Sequence, residues 1–229
     1  DIRSKNKAKN KLKKKKIIVR KFVQKDFAKN FYKSYFLQFT NKAPLVDAKL
    51  AISKDYYTIN KKDKWITNLR SRNLGNFLRS QYNCLLTTSK TINNDNPLLD
   101  CRIESLEKKS PTLIILDRYF KIKKNLKILK NKNRKIYIFT TIMNRSKANF
   151  FKKKGVKIIK MNSEDVKPQK IFYKIKKLGL NRVFVEAGSS FLYQLLKLSL
   201  VKNLFLFKSS KKLFSDGKNN SSISYIKKI

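Results

Sequence analysis

Val183-Phe-Val-Glu-Ala-Gly-Ser-Ser190 is the stretch that decides the fold, because a short apolar strand here runs into a helix through a single glycine. The first amide groups of such a helix point outward with the positive end of the helix dipole behind them, which favours a bound phosphate or pyrophosphate. The turn lacks the glycine spacing of the common dinucleotide fingerprint, so this signal is weak by itself. Glu186 adds a carboxylate at the end of a buried strand, beside Gly188, where a functional role is favoured.

Strands and helices alternate on both sides of this turn. Short apolar runs predict strands at 45–52, 84–87, 112–117, 135–140, 156–161, 182–187 and 203–208. Helical periodicity predicts helices at 68–81, 146–154, 169–178 and 189–200, the third closed by Gly179. In the first helix we expect the inward face to carry Leu69, Leu74, Phe77 and Leu78. This alternation is typical of an α/β domain with a mostly parallel central sheet flanked by helices.

Two further places could carry chemistry. One is the polar run Thr87–Pro97, expected as a loop after a strand, which combines hydroxyls, amides and one carboxylate ahead of Arg102. Loops at the carboxyl ends of parallel strands are the usual ligand-binding edge of such sheets, although the run could equally be an ordinary polar turn. The other is Trp65, the only tryptophan, just before the helix at 68–81. A single tryptophan is more often a core residue than a site residue.

Residues 1–44 differ in composition from the rest. Residues 1–16 are mostly Lys and Asn, as in a basic tail, and 17–19 form a short β-like run. A helix predicted at 26–39 carries an aromatic stripe, for which packing against a neighbouring domain is favoured over stacking with nucleic-acid bases. The stripe consists of Phe27, Phe31, Tyr35 and Phe36. Residues 41–44 are typical of a linker.

The chain is strongly basic, with 57 Lys and Arg residues against 14 Asp and Glu, a net charge of +43. Such a charge could attract nucleic acid, acidic membranes or phosphorylated metabolites. However, abundant Lys, Asn and Ile with scarce Gly and Pro also indicate an AT-rich genome, and we favour that origin because solvated faces tolerate lysine.

Several classes of site are excluded by composition. The absence of histidine rules out Ser-His-Asp triads, and Cys84 and Cys101 stand in no ligand spacing, so we expect no metal site. The two cysteines fit a reduced compartment. No apolar run is long enough to span a bilayer, so we expect a soluble, cytoplasmic protein without a membrane partner.

These places, in this order, resemble the reductase domain of the bacterial riboflavin-biosynthesis deaminase/reductase, over residues 43–217. That family opens with a strand of the type K-L-A-x-S-x-D-G, here Lys49-Leu-Ala-Ile-Ser-Lys-Asp-Tyr56. Its W-I-T stretch is Trp65-Ile-Thr67, followed by Arg72 and Leu78-Arg79. Its T-x-x-x-D-D/N-P-x-L-x-x-R run is Thr91 to Arg102, its V-E-G/A-G turn is Val185-Glu-Ala-Gly188, and a V-D-x-L run is similar to Val201-Lys-Asn-Leu204.

The resemblance implies a fold like dihydrofolate reductase, with NADPH across the carboxyl edge of the sheet. The implied reaction is NADPH-dependent reduction of the ribosyl side chain of 5-amino-6-(5-phosphoribosylamino)uracil, a phosphorylated pyrimidine, to the ribityl form. Residues 1–42 resemble the end of the deaminase domain and its connector, and 43–229 the reductase domain without a counterpart of the family's final strands. The deaminase zinc signature is absent. We therefore expect no deamination by these residues, a deaminase domain in the rest of a longer chain, and a homodimer as in the family.

The resemblance also implies roles for single residues. The nicotinamide side of the cofactor site would consist of Ala51, Trp65, Thr91 and Asp95. The pyrophosphate site would consist of Gly188, Ser189, Ser190 and Phe191. The substrate site would consist of Asp63, Arg79, Leu99, Arg102 and Glu186. Arg79 and Arg102 suit a phosphate, because guanidinium binds phosphate with two parallel hydrogen bonds. Asp95 is the expected proton donor to the ring-opened, imine-like sugar, with Asp55 or water as substitutes.

Three positions depart from the family pattern. Tyr56 replaces the glycine after Asp55, so we expect the loop to follow a different path or to lose a left-handed residue. Asp63 places an acid where serine is usual, near a phosphorylated substrate. Arg118 also stands where serine is usual and could meet the cofactor's 2′-phosphate. A degenerate reductase that binds NADPH without turnover therefore stays open, and a lysine-rich nucleic-acid-binding protein is the most distant alternative.

Overall fold

The computed structural model describes residues 7–20, 23–32, 35–36, 43–63, 65–131, 133–219 and 227, and the chain divides into two units, 1–36 and 37–229. The first unit contains two short helices, α1 (Lys7–Lys14) and α2 (Lys25–Phe31). Residues 7–14 are therefore helical where a basic tail was expected, since lysine and alanine are good helix formers. The β-like run at 17–19 pairs with no strand and has no regular structure.

The aromatic stripe of the first unit is described in part. The predicted helix is confirmed through Phe31, whereas residues 33–34 and 37–40 lie outside the described residues. The rings of Phe27 and Phe31 stack with centroids 6.1 Å apart, and the Tyr32 ring meets Phe31 edge-on. Phe27 and Phe31 are both largely exposed.

The second unit is built on a parallel sheet. Its strands are β1 (Leu45–Ile52), β2 (Ile59–Asn60), β3 (Cys84–Thr88), β4 (Thr112–Leu116), β5 (Ile136–Thr140), β6 (Val156–Lys160), β7 (Arg182–Val185), β8 (Asn203–Lys208) and β9 (Gly217–Lys218). Seven of them form one sheet in the order β6-β5-β4-β3-β7-β1-β8, and every neighbouring pair is parallel. The predicted mostly parallel α/β sheet is confirmed, because strands buried on both faces leave continuous apolar runs in the sequence.

A small antiparallel pair, β2 with β9, lies outside the main sheet. The polar residues at 215–222 show no apolar alternation, so the sequence does not predict this pairing. The Lys61 amide donates to the Asp216 carbonyl at 2.9 Å, and Lys62 forms an ion pair with the Asp216 carboxylate at 2.8 Å. These contacts tie the segment after β1 to the segment after β8.

Helices cover both faces of the sheet. They are α3 (Leu69–Ser80), α4 (Ser89–Asp95), α5 (Arg145–Lys153), α6 (Pro168–Lys177) and α7 (Ser189–Lys197). The expected helices are confirmed, and Gly179 follows α6 with φ of +80°, the left-handed conformation that ends many helices. Within the described ranges, no helix has both the length and the apolar character needed to cross a membrane.

Two apolar layers hold these helices to the sheet, because alternate residues of a strand point to opposite faces. The first layer joins Cys84 and Leu86 of β3 to α6 and α7, through Ile171, Phe172, Ile175, Leu192 and Leu195. The second layer joins Leu85 of β3 to α4 and α5, through Ile92, Ala148 and Phe151. Both layers are filled by fully buried phenylalanine, isoleucine and leucine side chains.

Helix α3 departs from this arrangement. Its buried residues are Gly75 and Asn76, and its exposed face carries Leu69, Leu74 and Phe77. The prediction that these three apolar side chains face inward is wrong, whereas Leu78 does pack against the second layer. The periodicity correctly predicts a helix. However, polar groups lie beneath α3, so its polar face points inward and most of its apolar face points outward.

Candidate active site

The candidate site lies where several strands end at one edge of the sheet. In the pairing register, Val185 of β7 lies opposite Ala48 of β1 and Leu86 of β3. Thr88 of β3 lies opposite Leu116 of β4, the last residue of each strand. The segments that leave β7, β3 and β4 therefore start side by side at the carboxyl edge, which is the usual ligand-binding edge of open parallel sheets.

The turn from β7 to α7 brings the start of a nine-residue helix to this edge. Gly188 is the residue that precedes the helix, and it has no side chain to cap the first turn. A Cβ atom added at Gly188 would meet no other atom within 4 Å, so the space beside this residue at the helix start is open. The Phe191 amide already donates a hydrogen bond to the Gly188 carbonyl at 3.1 Å. To bind a pyrophosphate as predicted, this amide would have to share its hydrogen between the carbonyl and the pyrophosphate.

The polar run after β3 is a helix and not the expected loop. Thr88 is the N-cap residue of α4. Its hydroxyl accepts from the Thr91 amide and lies 3.1 Å from the Thr91 hydroxyl. Asn96, with φ of +40°, ends α4 in the left-handed conformation. Threonine and asparagine favour such helix ends, so the polar run was a capping signal that we interpreted as a turn. Thr91 is half-buried and Asp95 is exposed, both on α4.

Arg79 and Glu186 form a buried ion pair that joins the end of α3 to the end of β7. The Arg79 Nε and Nη2 atoms donate to the two Glu186 carboxylate oxygens at 2.6 and 3.0 Å. The two side chains are 12% and 9% exposed. Burial opposes the charge of Glu186, but the adjacent Arg79 guanidinium outweighs it and lowers the pKa of the carboxyl.

The same guanidinium reaches two further acceptors. The Arg79 Nη1 atom donates to the Asn76 side-chain oxygen at 3.0 Å and to the Asp100 carbonyl at 3.1 Å. Arg79 was expected to bind the substrate phosphate, and a phosphate would have to share or replace these acceptors. Arg102 has more freedom, because its side chain is 50% exposed and its Nε lies 3.4 Å from the Asp100 carboxylate. Four predicted substrate residues are thus brought together on neighbouring segments: Arg79, Leu99, Arg102 and Glu186.

The loop after β1 is held by Asp55. Its carboxylate accepts from the Ser53 hydroxyl at 2.6 Å and from the backbone amides of Leu213 and Phe214 at 2.8–3.0 Å. Desolvation opposes ionisation, but these hydrogen bonds outweigh it and lower the pKa of Asp55 to about 2. Tyr56 has φ of +68°, so the loop keeps a left-handed residue here without glycine, and the expected loss of that residue is wrong. The Tyr56 hydroxyl accepts from Lys208 Nζ at 3.1 Å.

Trp65 and Asp63 lie in the segment that leads to α3. Trp65 is about half exposed, so the core interpretation of this tryptophan is wrong. The Arg72 guanidinium lies over its ring, 4.7 Å from the centroid. The exposed Asp63 carboxylate accepts from the Trp65 amide at 3.2 Å. Ala51 is half-buried near the end of β1, opposite Phe207 of β8.

A cavity of about 430 Å³ opens between the carboxyl ends of β3 and β4. Its cationic lining residues are Lys90, Arg118 and Lys121. The buried Asp117 carboxylate lies at its base and accepts from the Ser89 hydroxyl and the Lys121 and Ile122 amides at 2.7–2.8 Å. Arg118 directly follows a predicted strand and was singled out from the sequence, whereas Lys90 and Lys121 were not, although each lies within four residues of a predicted strand end.

Comparison with known proteins places this architecture in a family. A family model described as the RibD C-terminal domain matches residues 44–213. The chain is 30% identical over 169 residues to a 5-amino-6-(5-phosphoribosylamino)uracil reductase of Buchnera aphidicola subsp. Acyrthosiphon pisum, an alignment that covers 68% of this chain and 79% of that protein. It is 28% identical over 188 residues to the riboflavin biosynthesis protein RibD of Buchnera aphidicola subsp. Baizongia pistaciae, covering 75% of this chain and 50% of that protein.

The solved structure of Acinetobacter baumannii RibD is similar in fold, with a TM-score of 0.76 at 19% identity, and the match covers 95% of this chain and 61% of that chain. The chain thus spans about half to three fifths of the length of these RibD proteins. The family model covers most of the second unit, including the Arg79–Glu186 pair and the helix start at Gly188. The chain belongs to the RibD C-terminal domain family.

Proposed function

We propose that the second unit is a reductase of riboflavin biosynthesis that uses NADPH to convert the ribosyl side chain of 5-amino-6-(5-phosphoribosylamino)uracil to the ribityl form. The observation that carries this proposal is the carboxyl edge of the sheet. There an open helix start at Gly188 lies beside a buried carboxylate, Glu186, that an arginine holds in place. The Buchnera relative whose name states this reductase activity matches the same region.

The cofactor would lie across the strand ends. We assign the pyrophosphate to the start of α7, from Gly188 through Ser189 and Ser190 to Phe191, where the helix dipole favours negative charge. The nicotinamide would lie toward β1 and α4, against Ala51, Trp65, Thr91 and Asp95. These four residues stay predictions that the resemblance supplies.

The cavity between β3 and β4 suits the other end of the cofactor. Lys90, Arg118 and Lys121 would surround a 2′-phosphate, and this phosphate distinguishes NADPH from NADH. The Arg118 guanidinium lies 5.4 Å from the centroid of the exposed Tyr119 ring, which offers an apolar face to the adenine. We therefore propose a preference for NADPH that depends on Arg118.

The substrate would bind on the α3 side. Arg102 is the arginine with the most freedom to contact its phosphate, because half of its side chain is exposed. Arg79 would act on the substrate together with Glu186, which it keeps ionised and oriented. Leu99 and Asp63 complete the predicted substrate site, and Asp63, which accepts from the Trp65 amide, is the least supported of them.

When bound, NADPH would supply the hydride. The residues of the chain would hold the ring-opened sugar with its reacting carbon against the cofactor, a positional contribution to catalysis. Reduction of a carbon–nitrogen double bond places the hydride on carbon and requires one proton on nitrogen. Asp95, exposed at the end of α4, is the proposed donor of that proton, directly or through water.

Two measurements on the purified chain test the function. NADPH titration followed by quenching of Trp65 fluorescence should saturate, survive high salt and be much weaker with NADH. Mixing enzyme, NADPH and the pyrimidine substrate should then remove the absorbance of the reduced nicotinamide. Saturable binding without oxidation would make the chain a degenerate reductase, and binding that any polyanion abolishes at low salt would favour the nucleic-acid alternative.

Variants separate the proposed roles. Asp95→Asn should lower kcat by roughly 10²-fold with unchanged NADPH affinity, and full turnover by this variant would remove Asp95 as proton donor. Arg118→Ser should weaken NADPH binding by about tenfold and leave NADH binding unchanged. Glu104→Gln, an exposed carboxylate on a separate loop, is the matched control for both.

Further proposals concern the rest of the protein. We propose that residues 1–42 are the end of a deaminase domain with its connector, that the rest of that domain belongs to a longer chain, and that the protein acts in the cytoplasm. We also propose a homodimer, in which a second copy covers the apolar side chains exposed on α3. Phe77→Asp should then yield a monomer in sedimentation, and an unchanged assembly would exclude α3 from the interface.

A further inference from the structure

Arg134 is a buried arginine that lies outside every motif of the family pattern. It precedes β5, and the residue is 9% exposed. Its Nη1 atom donates to the Leu99 carbonyl and its Nη2 atom to the Leu98 carbonyl. A buried guanidinium is costly unless its donors are used, so this arrangement calls for a specific role.

The loop that Arg134 holds is the one that carries Leu99 and Arg102. Leu99 is buried and has φ of +54°, a conformation that a leucine rarely adopts and that must be maintained by its surroundings. The next carbonyl, that of Asp100, accepts from Arg79 Nη1 at 3.1 Å. Three consecutive carbonyls, at residues 98–100, are therefore held by two arginines.

The charges around the loop are consistent with a fixed cation. Burial lowers the pKa of Arg134, Asp100 opposes this shift and Arg79 adds to it, so that the pKa is about 10. Arg134 is therefore charged at neutral pH. The Asp100 carboxylate accepts from the Asn131 side chain at 3.2 Å and lies 3.4 Å from Arg102 Nε.

We propose that Arg134 is a positioning residue of the substrate site: it fixes the left-handed turn at Leu99 so that Arg102 is presented to the phosphate of the substrate. The geometry links the two arginines through one short stretch of backbone, since the turn at Leu99 sets the direction in which the chain reaches Asp100 and Arg102. This proposal rests on the proposed reductase function, in which Arg102 contacts the phosphate. Arg134 itself would touch neither substrate nor cofactor.

The test is a kinetic comparison of Arg134→Met with the wild-type protein. Methionine preserves length and apolar packing but cannot donate to the two carbonyls. KM for the pyrimidine substrate should rise about tenfold or more, because a small misplacement of a binding group is enough to lose that affinity. The dissociation constant for NADPH and kcat should change less than about threefold, because the cofactor contacts lie on other segments.

A double-variant cycle separates positioning from simple stability. With Arg102→Met already present, adding Arg134→Met should raise KM little further, because both changes remove the same phosphate contact. Fully multiplicative effects on KM in this cycle would overturn the proposal. Arg134→Lys keeps the cation and should give an intermediate KM, and it replaces the methionine variant if that protein does not fold.

The matched control is Arg182→Met. Arg182 is another partly buried arginine, the first residue of β7, and its guanidinium lies 5.0 Å from the centroid of the Tyr82 ring. This variant should lose thermal stability without a change in KM. A wild-type protein without turnover would overturn the reductase function and this role together, whereas an active wild type with an unchanged Arg134→Met KM would overturn this role alone.

Discussion

Helices α6 and α3 cover opposite faces of the same sheet, and they differ in the kind of side chain that each one buries. Helix α6 buries Ile171, Phe172 and Ile175 and exposes two of its four lysines, Lys170 and Lys177. Helix α3 buries Gly75 and Asn76, directs Arg79 inward to Glu186, and exposes its large apolar residues. Both helices have the amphipathic periodicity, so the difference lies in what each one covers.

The difference teaches that the inward face of a helix follows the chemistry of the surface that it covers. Beneath α6 the sheet face is apolar and filled, so burial of apolar side chains stabilises the contact. Beneath α3 the contacts are polar, since Arg79 donates to both Asn76 and Glu186 there. A Cβ added at Gly75 would meet no atom within 4 Å. Polar side chains therefore take the inward positions of α3, where they hydrogen-bond to one another.

The largest test of this contrast removes one aromatic ring from each helix. Phe172→Ala in α6 should lower the free energy of unfolding by about 3–5 kcal/mol, because the ring is almost fully buried. Phe77→Ala in α3 should change it by less than about 0.5 kcal/mol in the monomer, because the ring is 45% exposed there. Chemical denaturation of both variants at a protein concentration too low for assembly makes this comparison. A large loss from Phe77→Ala that appears only at higher protein concentration would support the proposed contact between two copies at α3.

The next test breaks the polar contact beneath α3. Arg79→Met leaves Glu186 buried without its cation, and we expect a loss of about 3–5 kcal/mol in the free energy of unfolding. The pKa of Glu186 should rise at the same time, because the strongest opposition to burial is lost and only the weaker effects of Lys49 and Arg102 remain. The stability loss should therefore be smaller at pH 5 than at pH 8. Lys62→Met, which removes an exposed ion pair with Asp216, should have no measurable effect at either pH.

A smaller effect is expected from the glycines. Gly75→Ala should stabilise the protein by about 0.5–1 kcal/mol, since alanine is the better helix former and nothing obstructs its Cβ. Gly179→Ala, at the end of α6, should destabilise by about 1 kcal/mol, because φ is +80° there. Both sites offer open space, so the thermal midpoints isolate the backbone effect. If Gly75→Ala also raises KM, the space beneath α3 is part of the substrate site.

The smallest effect concerns the loop that leads from β1 toward α3. The pKa of Asp55 is lowered from 3.8 to about 2 in the folded protein, so its ionised form contributes stability above pH 4 that is lost as pH falls toward 2. We expect Asp55→Asn to reduce the pH dependence of the thermal midpoint in that window. Trp65 fluorescence should report the local change, and Glu104→Gln, an exposed carboxylate, controls for general acid titration. Parallel curves for Asp55→Asn and wild type would contradict the shift.

The parallel sheet could be predicted because its strands are buried on both faces. The run Leu113–Ile115 is continuously apolar and almost fully buried, so its sequence alone identifies it. The helix start at Gly188 was equally predictable, since one glycine separates the apolar strand from the next helix. Signals of this kind are local, and each depends on fewer than about ten residues.

Contacts between distant segments could not be predicted in the same way. Arg79 and Glu186 were each assigned to the substrate by resemblance, but their mutual pairing spans 107 positions and leaves no local pattern. Arg134 gave no signal, because a basic residue before a strand looks like any surface cation in a chain with 57 of them. The prediction of the inward face of α3 was wrong for a related reason. Periodicity shows that a helix has an apolar and a polar face, but it does not show which of them meets the sheet.

The position of β1 has a consequence for synthesis on the ribosome. This strand pairs with β7 on one side and β8 on the other, and β7 begins about 130 residues after β1 ends. At roughly 5–20 residues per second, β1 would wait several seconds to half a minute for its first partner. During that interval the chain that has emerged includes β3 to β6, which can pair in sequence order while β1 is without a neighbour. The apolar strand at the start of the domain is therefore the segment most in need of a chaperone during translation.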